Sequence, residues 1–223
     1  DTARSRGLGD VYKRQGVWFD GDWDKPRLDD PAIQKGLADY AGLMQAGPSD
    51  ILSYNWNEAG NAFCNGQAAF FADASLFGPW FETDDCPVSK GNTGYMALPP
   101  QTKGGTSYTA NWQWGIGMGA NAQEKDAGWY FIQYMTNKAS EAVIGTFHGG
   151  AGRLSTWEND SYTSTLNPDY VSATLESMKT VRTSVVPVKD FNKYALEIMD
   201  VILDIHGGAS SCLLYTSDAA DDP

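Results

Sequence analysis

The two ends of this chain bound what the rest of it can fold into, because they read as opposite strands of one DNA element. Near the start stands SRGLGDVYKRQ, Ser5 to Gln15, and near the finish CLLYTSDAADD, Cys212 to Asp222. One ordinary codon choice for the first contains AGATGTGTATAAGAGACAG, the mosaic-end adapter of transposase-based sequencing libraries. One choice for the second, with a single preceding C, contains CTGTCTCTTATACACATCT, its reverse complement. The competing reading is a basic amphipathic start and an acidic disordered tail. Translated scars carry no fold information and are set aside. The expectation is therefore that residues 1–15 and 211–223 are adapter-derived and non-native. The native body is then about 16–210, its own start and end are missing, and the absence of a signal peptide says nothing.

The body is acidic. The leading segment contributes +2 and the trailing one −3, so −11 of the net −12 belongs to the body. Such a charge argues against nucleic acid and anionic membrane as partners. About 195 residues can bury a substantial core in one or two domains, and no apolar run approaches the roughly 20 residues of a membrane span. With Cys212 assigned to the scar, Cys64 and Cys86 remain, either a disulfide of an oxidising compartment or two buried thiols. Eight tryptophans and only two histidines suit binding by ring faces better than proton shuttling.

Along the chain, DPAIQKGLADYAGLMQAG predicts a helix capped by Asp30, with Pro31 at its first position and Gly47 as its stop. Its inward stripe is Ile33, Leu37, Tyr40, Ala41 and Met44. A second helix is expected over about Asn57 to Cys64, with Asn57 as its cap, and then a turn at Asn65-Gly66. AAFFAD reads as a short strand buried on both faces and ends in Asp73. SLFGPWFET leads through a Gly-Pro turn into a further helical turn. NTGYMALPP and NWQWGIGMG read as strands, the latter with Trp112 and Trp114 on one face. The longest helical signal spans NAQEKDAGWYFIQYMTNKASEAVIGTF, with an apolar stripe of Ala127, Tyr130, Phe131, Tyr134 and Met135. HGGAGRLSTWEND reads as loop and NPDYVSATLESMKTV as helix. A last amphipathic helix turns Phe191, Leu196, Met199, Ile202 and Leu203 inward and stops at Gly207. Helix and strand in alternation make an α/β pattern.

Three blocks resemble the extracellular solute-binding proteins of sugar ABC importers. FCNGQAAFFADASLFGPW is similar to their F-x-x-G-x-A-A-M stretch. GNTGYMALPPQTKGG is followed by NWQWGIGMGANAQEKDAGWYFIQYMTNKAS, like the family's Gly/Trp strand and aromatic helix. GGAGRLSTWEND and VVPVKDFNKYALEIMDVILDI complete the match, and together the blocks span nearly the whole body. SYNWNEA with FADAS looks closest to members that bind polyols, monosaccharides or small oligosaccharides, and GPW resembles the equivalent site of maltose-binding proteins. The resemblance implies a two-lobed periplasmic-binding-protein-like fold of type II that lacks most of its first lobe. Residues 16–98 would begin the second lobe, 99–153 return to the first, and 154–210 close the second.

Sugars present C–H faces and rings of hydroxyls, so a binder needs flat aromatic faces together with amides, carboxylates or Arg. By the resemblance Trp80, after the Gly-Pro turn, takes the family's stacking position; a packed hydrophobic anchor is the rival role. Asn111, Trp112 and Trp114 line the cleft from the first lobe, or simply alternate in a half-buried strand. Asp73 accepts hydroxyls or caps a turn. Arg153 reaches a sugar oxygen or forms a salt bridge. Trp56, Asn57, Phe191 and Asn192 are further candidate contacts. The expected function is capture of a carbohydrate between the lobes by stacking and hydroxyl hydrogen bonds, and its delivery to the permease subunits. The protein is expected to be a monomer without cofactor or metal, periplasmic or a membrane-anchored lipoprotein. The alternatives are a non-transport carbohydrate-binding or chemoreceptor module and, further off, a glycoside hydrolase. The sequence holds no G-x-S-x-G, no G-x-x-x-x-G-K-[ST] and no H-E-x-x-H. His148 and His206 have no Cys or His at ligand spacing. GIGMGA lacks the βαβ frame of a dinucleotide site. Asp84 and Asp85 of TDDC read as a solvated loop, although two carboxylates across a cleft are what glycoside hydrolysis needs.

Overall fold

The structure is a computed structural model that describes residues 30–100, 103–111, 114–148, 150–183, 189 and 191–208. It divides into two units, Asp1–Leu52 with Val185–Pro223, and Ser53–Ser184.

The described part of the first unit is a helix pair. Helix α1 spans Pro31–Gln45. Asp30 caps it, its carboxylate accepting from Ala32 N at 2.8 Å, and Pro31 fills a position whose N–H would have no helical partner. Ile33, Leu37 and Ala41 are buried. Tyr40, expected inward, is exposed, because those three residues repeat every fourth position and make a stripe too narrow to include it. The final helix, Phe191–His206, packs against α1, and Gln45 Nε2 donates to His206 O at 3.1 Å. Leu196, Met199 and Leu203 were expected inward but are exposed. A single facing helix covers only part of so broad an apolar face. The side chain of Phe191 lies outside the described residues.

The second unit holds α2 (Trp56–Cys64), α3 (Phe77–Phe81), β1 (Thr109–Asn111), α4 (Lys125–Thr136), α5 (Lys138–His148), α6 (Leu154–Trp157), α7 (Asp160–Thr163), α8 (Pro168–Met178) and β2 (Val181–Thr183); the final helix of the first unit is α9. Strand content is lower than the α/β pattern predicts. Among the described residues the sheet has two strands, β1 and β2, which pair in parallel with Thr109 opposite Val181 and Asn111 opposite Thr183. AAFFAD forms no strand: Phe70 is 90% exposed while Phe71 turns in upon Phe77 and Phe81. NTGYMALPP is also irregular; of NWQWGIGMG, Asn111 ends β1 and Trp114 to Gly119 are irregular, while Trp112 and Gln113 lie outside the described residues. A strand needs a neighbour to take its N–H and C=O groups, and among the described residues AAFFAD and NTGYMALPP pair with no strand.

Two other expectations change. The long helical signal breaks in two at Asn137, whose backbone is extended (ψ 163°) and whose Oδ1 accepts from Ala139 N (2.9 Å) and Ser140 N (3.0 Å). It caps α5 and so ends α4. The stretch read as loop at HGGAGRLSTWEND contains α6, which buries Trp157 with its indole N–H on Ala151 O at 2.8 Å.

The core of this unit is aromatic. Phe77 and Phe81 are buried with Cys64 and Cys86, and Phe63, Phe71, Leu76 and Trp80 pack around them. A second cluster gathers Ala151, Trp157, Tyr162 and Tyr170. Each buried Phe contributes about 1.5–3 kcal/mol, and ring pairs such as Phe63–Phe81 (4.7 Å) add about 1 kcal/mol. Cys64 and Cys86 form a disulfide that closes a separation of 22 residues, worth about 3 kcal/mol in the chain-entropy account. Of the two readings left open for these cysteines, this is the one an oxidising compartment sustains.

Candidate functional site

Helix α2 begins with a capping box. Asn55 is extended (φ −100°, ψ −172°), its side chain accepts from Asn57 N at 2.8 Å, and Glu58 reaches back to Asn55 N at 3.1 Å. The cap is therefore Asn55, and Asn57, expected to be the cap, is an exposed second residue of the helix. The box places Trp56 at the first helical position, 54% exposed, with its ring edge-on to Phe77 at 5.7 Å and 68°.

Helix α3 sets the next ring. Gly78 and Pro79 lie inside it, whereas the sequence reading put a turn before it; Pro79 is tolerated because the first turn lacks internal acceptors for its N–H groups. Trp80 follows, partly buried, 5.5 Å from Phe77 at 31° and 5.8 Å from Phe81 at 24°. Its six-membered ring lies on Gly60 of α2, where an added Cβ would come within 2.5 Å of Cζ3. Trp56, Phe77 and Trp80 thus make one continuous run of rings, carried by two helices that a glycine allows to approach. Trp80 serves as an anchor on α2, and the structure joins it to Trp56 through Phe77.

The other expected residues are placed as follows. Asp73 is exposed and accepts from its neighbour's N–H, Ala74 N, at 2.6 Å. Asn111 lies in β1, and Trp114 is 80% exposed on irregular chain. Arg153 is engaged: its Nε pairs with Glu141 at 3.1 Å and its guanidinium donates to Thr136 O at 2.7 Å. Glu141 also accepts from Gly152 N and Thr156, so this ion pair pins the α4–α5 junction to α6. Phe191 and Asn192 belong to α9 of the first unit, with side chains outside the described residues. Asp84 is solvent-exposed and paired with Lys90, whose hydrogen bond and charge hold its carboxyl below the usual range. An open polar depression lined by Ala120 to Asp126 contains none of these residues. Among the described residues no group of three His, Cys, Asp or Glu could hold a metal ion.

Residues that the sequence reading missed do much of the positioning. Phe77 links the two tryptophans, Gly60 admits Trp80, and Glu82 and Tyr95 brace α3 from behind. Gly60 had a visible signal, since a glycine inside a helical stretch often marks a close approach. Phe77 and Phe81 stand four apart, as one helix face requires. Nothing in the local sequence pairs Glu82 with Tyr95.

Flat rings beside exposed amide and carboxylate side chains can meet a ligand that has apolar C–H faces and hydroxyl edges. Comparison with known proteins gives the family. Residues 10–142 match the family described as bacterial extracellular solute-binding protein. The mannitol-binding protein of Pseudomonas aeruginosa is 29% identical over 173 residues, which is 74% of this chain and 38% of that relative. The chain thus spans about two fifths of the relative's length. A family match over more than half of the residues is decisive: this chain belongs to the bacterial extracellular solute-binding proteins.

Proposed function

We propose that this chain is part of the substrate-binding component of an ABC importer, and that it captures a polyol, a monosaccharide or a small oligosaccharide. The observation that carries the reading is the run of rings Trp56–Phe77–Trp80, partly open to solvent, in a chain of this family. The printed function of the relative, mannitol binding, supports the polyol end of the range. Family membership supports a periplasmic or extracellular location, and among the described residues no helix is long and apolar enough to cross a membrane. Lipid anchoring belongs to the proposal.

In this reading Trp80 and Trp56 stack on the C–H face of the ligand, and Asn57 and Asp73 serve its hydroxyls. Residues 16–98 and 154–210 belong to one lobe and 99–153 to the other, of which this chain lacks most. Asn111, Trp112 and Trp114 answer from that other lobe. Arg153 would have to leave Glu141 to touch a ligand, so its part is to hold α5 against α6. A ligand touching both lobes favours the closed form, which then docks on the permease. No catalytic step is involved.

The test is a thermal-shift panel on the protein of the complete gene, with mannitol and other polyols, monosaccharides, and α- and β-linked di- and trisaccharides. A ligand at about 100 times its Kd adds about 2.7 kcal/mol. One selective hit, recovered chemically unchanged, establishes binding and separates it from glycoside hydrolysis. No shift with any carbohydrate ends the sugar reading.

A further inference from the structure

Helix α3 has five residues, too few to hold its shape by itself, yet it carries Trp80. What fixes it is a carboxylate at its end. The backbone N–H of Glu82 closes the helix on Pro79 O at 3.3 Å, and its side chain turns back into the unit. Oε1 accepts from the Tyr95 hydroxyl and from Asn167 Nδ2, each at 3.0 Å, and Oε2 accepts from Gly91 N at 2.9 Å. The Tyr95 hydroxyl also lies 3.1 Å from Gly78 O, inside α3. Asn167 caps α8 through its other amide atom, accepting from Asp169 N at 2.9 Å. Tyr170, one turn on, lays its ring on Gly78, where a Cβ would come within 2.3 Å. Glu82 therefore joins α3 to the loop at Gly91, to Tyr95 and to the start of α8, while Gly60 meets the opposite side through Trp80.

We propose that Glu82 is a positioning residue for the Trp80 ring face, holding α3 against α8 and the Gly91–Tyr95 segment so that the ring is in place before a ligand arrives. This rests on the carbohydrate reading above. The chemistry requires a carboxylate: three donors converge on two oxygens, and an ionised carboxylate accepts at both without offering a proton. Glutamine would turn an NH₂ against one of those donors. Burial, and next the Glu82 charge, push the Tyr95 hydroxyl well above its ordinary value, so it remains a donor throughout the working pH range. A ring fixed in advance loses less freedom on binding, and affinity gains accordingly.

The experiment uses the protein of the complete gene with ¹⁵N-labelled tryptophan, the Trp80 indole peak being assigned by its loss in Trp80→Phe. Glu82→Gln and the milder Tyr95→Phe, which removes one of the three bonds together with the hydroxyl's contact to Gly78 O, are compared with Asn159→Ala, which strips the cap of α7. The expected result needs no ligand: the Trp80 peak shifts or broadens in the first two and stays in the third. With the panel carbohydrate that wild type binds best, Glu82→Gln raises Kd about tenfold, the scale of a lost charge-assisted hydrogen bond, and Asn159→Ala leaves Kd unchanged. An unmoved Trp80 peak in both Glu82→Gln and Tyr95→Phe, or an unchanged Kd in Glu82→Gln, overturns the proposal. If Glu82→Gln does not fold, Tyr95→Phe decides by the same readouts. If wild type binds no carbohydrate, the functional reading fails and the indole peaks alone decide whether Glu82 positions Trp80.

Discussion

Gly60 sets two effects against each other at a single atom. Replacing a helical glycine with alanine ordinarily stabilises by about 1 kcal/mol. Here the new Cβ would stand 2.5 Å from Trp80 and 2.8 Å from Phe77, and overpacking of that kind costs about 1–3 kcal/mol. Sterics outweigh propensity, so Gly60→Ala is expected to lose about 1 kcal/mol in urea unfolding and to weaken carbohydrate binding by moving Trp80. A stabilised variant would show that α2 and α3 are free to separate. Tyr95 and Tyr170 make a second case. Burial is the first cause of the raised value in both. A folded value raised above the unfolded one, 10.0, means that the folded state keeps protons the unfolded state gives up. Their contribution is thus complete below about pH 10 and is lost as pH rises through the folded values. In an alkaline titration followed at 295 nm, these two tyrosines are expected to ionise only with cooperative unfolding, after the exposed ones. Smooth early titration of every tyrosine would contradict their burial.

Among the elements, short pieces are made by side chains that satisfy backbone groups. Asn137 ends α4 by capping α5, so Asn137→Ala is expected to cost about 1 kcal/mol and to speed amide exchange at Ala139 and Ser140, with α4 itself little changed. Unchanged exchange at both amides would mean that the cap does no more than water. The disulfide acts between elements, from the last residue of α2 to the chain beyond α3. Both cysteines are buried, so a thiol reductant is expected to leave the native bond intact until denaturant opens the core. Once it is reduced, unfolding free energy should fall by about 3 kcal/mol. Rapid reduction under native conditions would show that the aromatic cluster opens readily.

For the molecule as a whole, the surface is the open question. Tyr130, Phe131 and Tyr134 of α4 were expected to face inward, and all three are exposed, Tyr130 at 73%. Trp129, next to them in α4, is exposed, and so is Phe147 of α5. A stripe of that size is usually covered, and this chain spans 38% of its mannitol-binding relative. Expressed as it stands, the chain is expected to bind a hydrophobic dye and to melt broadly, as a partly molten protein does. The product of the complete gene should melt sharply with little dye bound. A sharp melt and low dye binding by this chain alone would show that the stripe needs no cover.

The sequence alone determined what depends on local chemistry. Asp30 and Pro31 announce α1, Asn167-Pro168 announces α8, and Gly47 and Gly207 stand just past their helices, because caps and stops act over a single turn. The ordered blocks around FADASLFGPW were enough to place the family. What only the tertiary structure decided depends on partners distant in the chain. AAFFAD has the composition of a strand but, among the described residues, no neighbour to pair with, and it is irregular. Asn111 finds its strand partner in Thr183, and Glu82 meets Asn167 across 85 residues. The same holds for the candidate site: Trp80 was legible from its motif, but its seat on Gly60, its link to Trp56 through Phe77 and the engagement of Arg153 with Glu141 were not. Local sequence fixes what a backbone prefers, while the closing of long loops fixes which side chains finally meet.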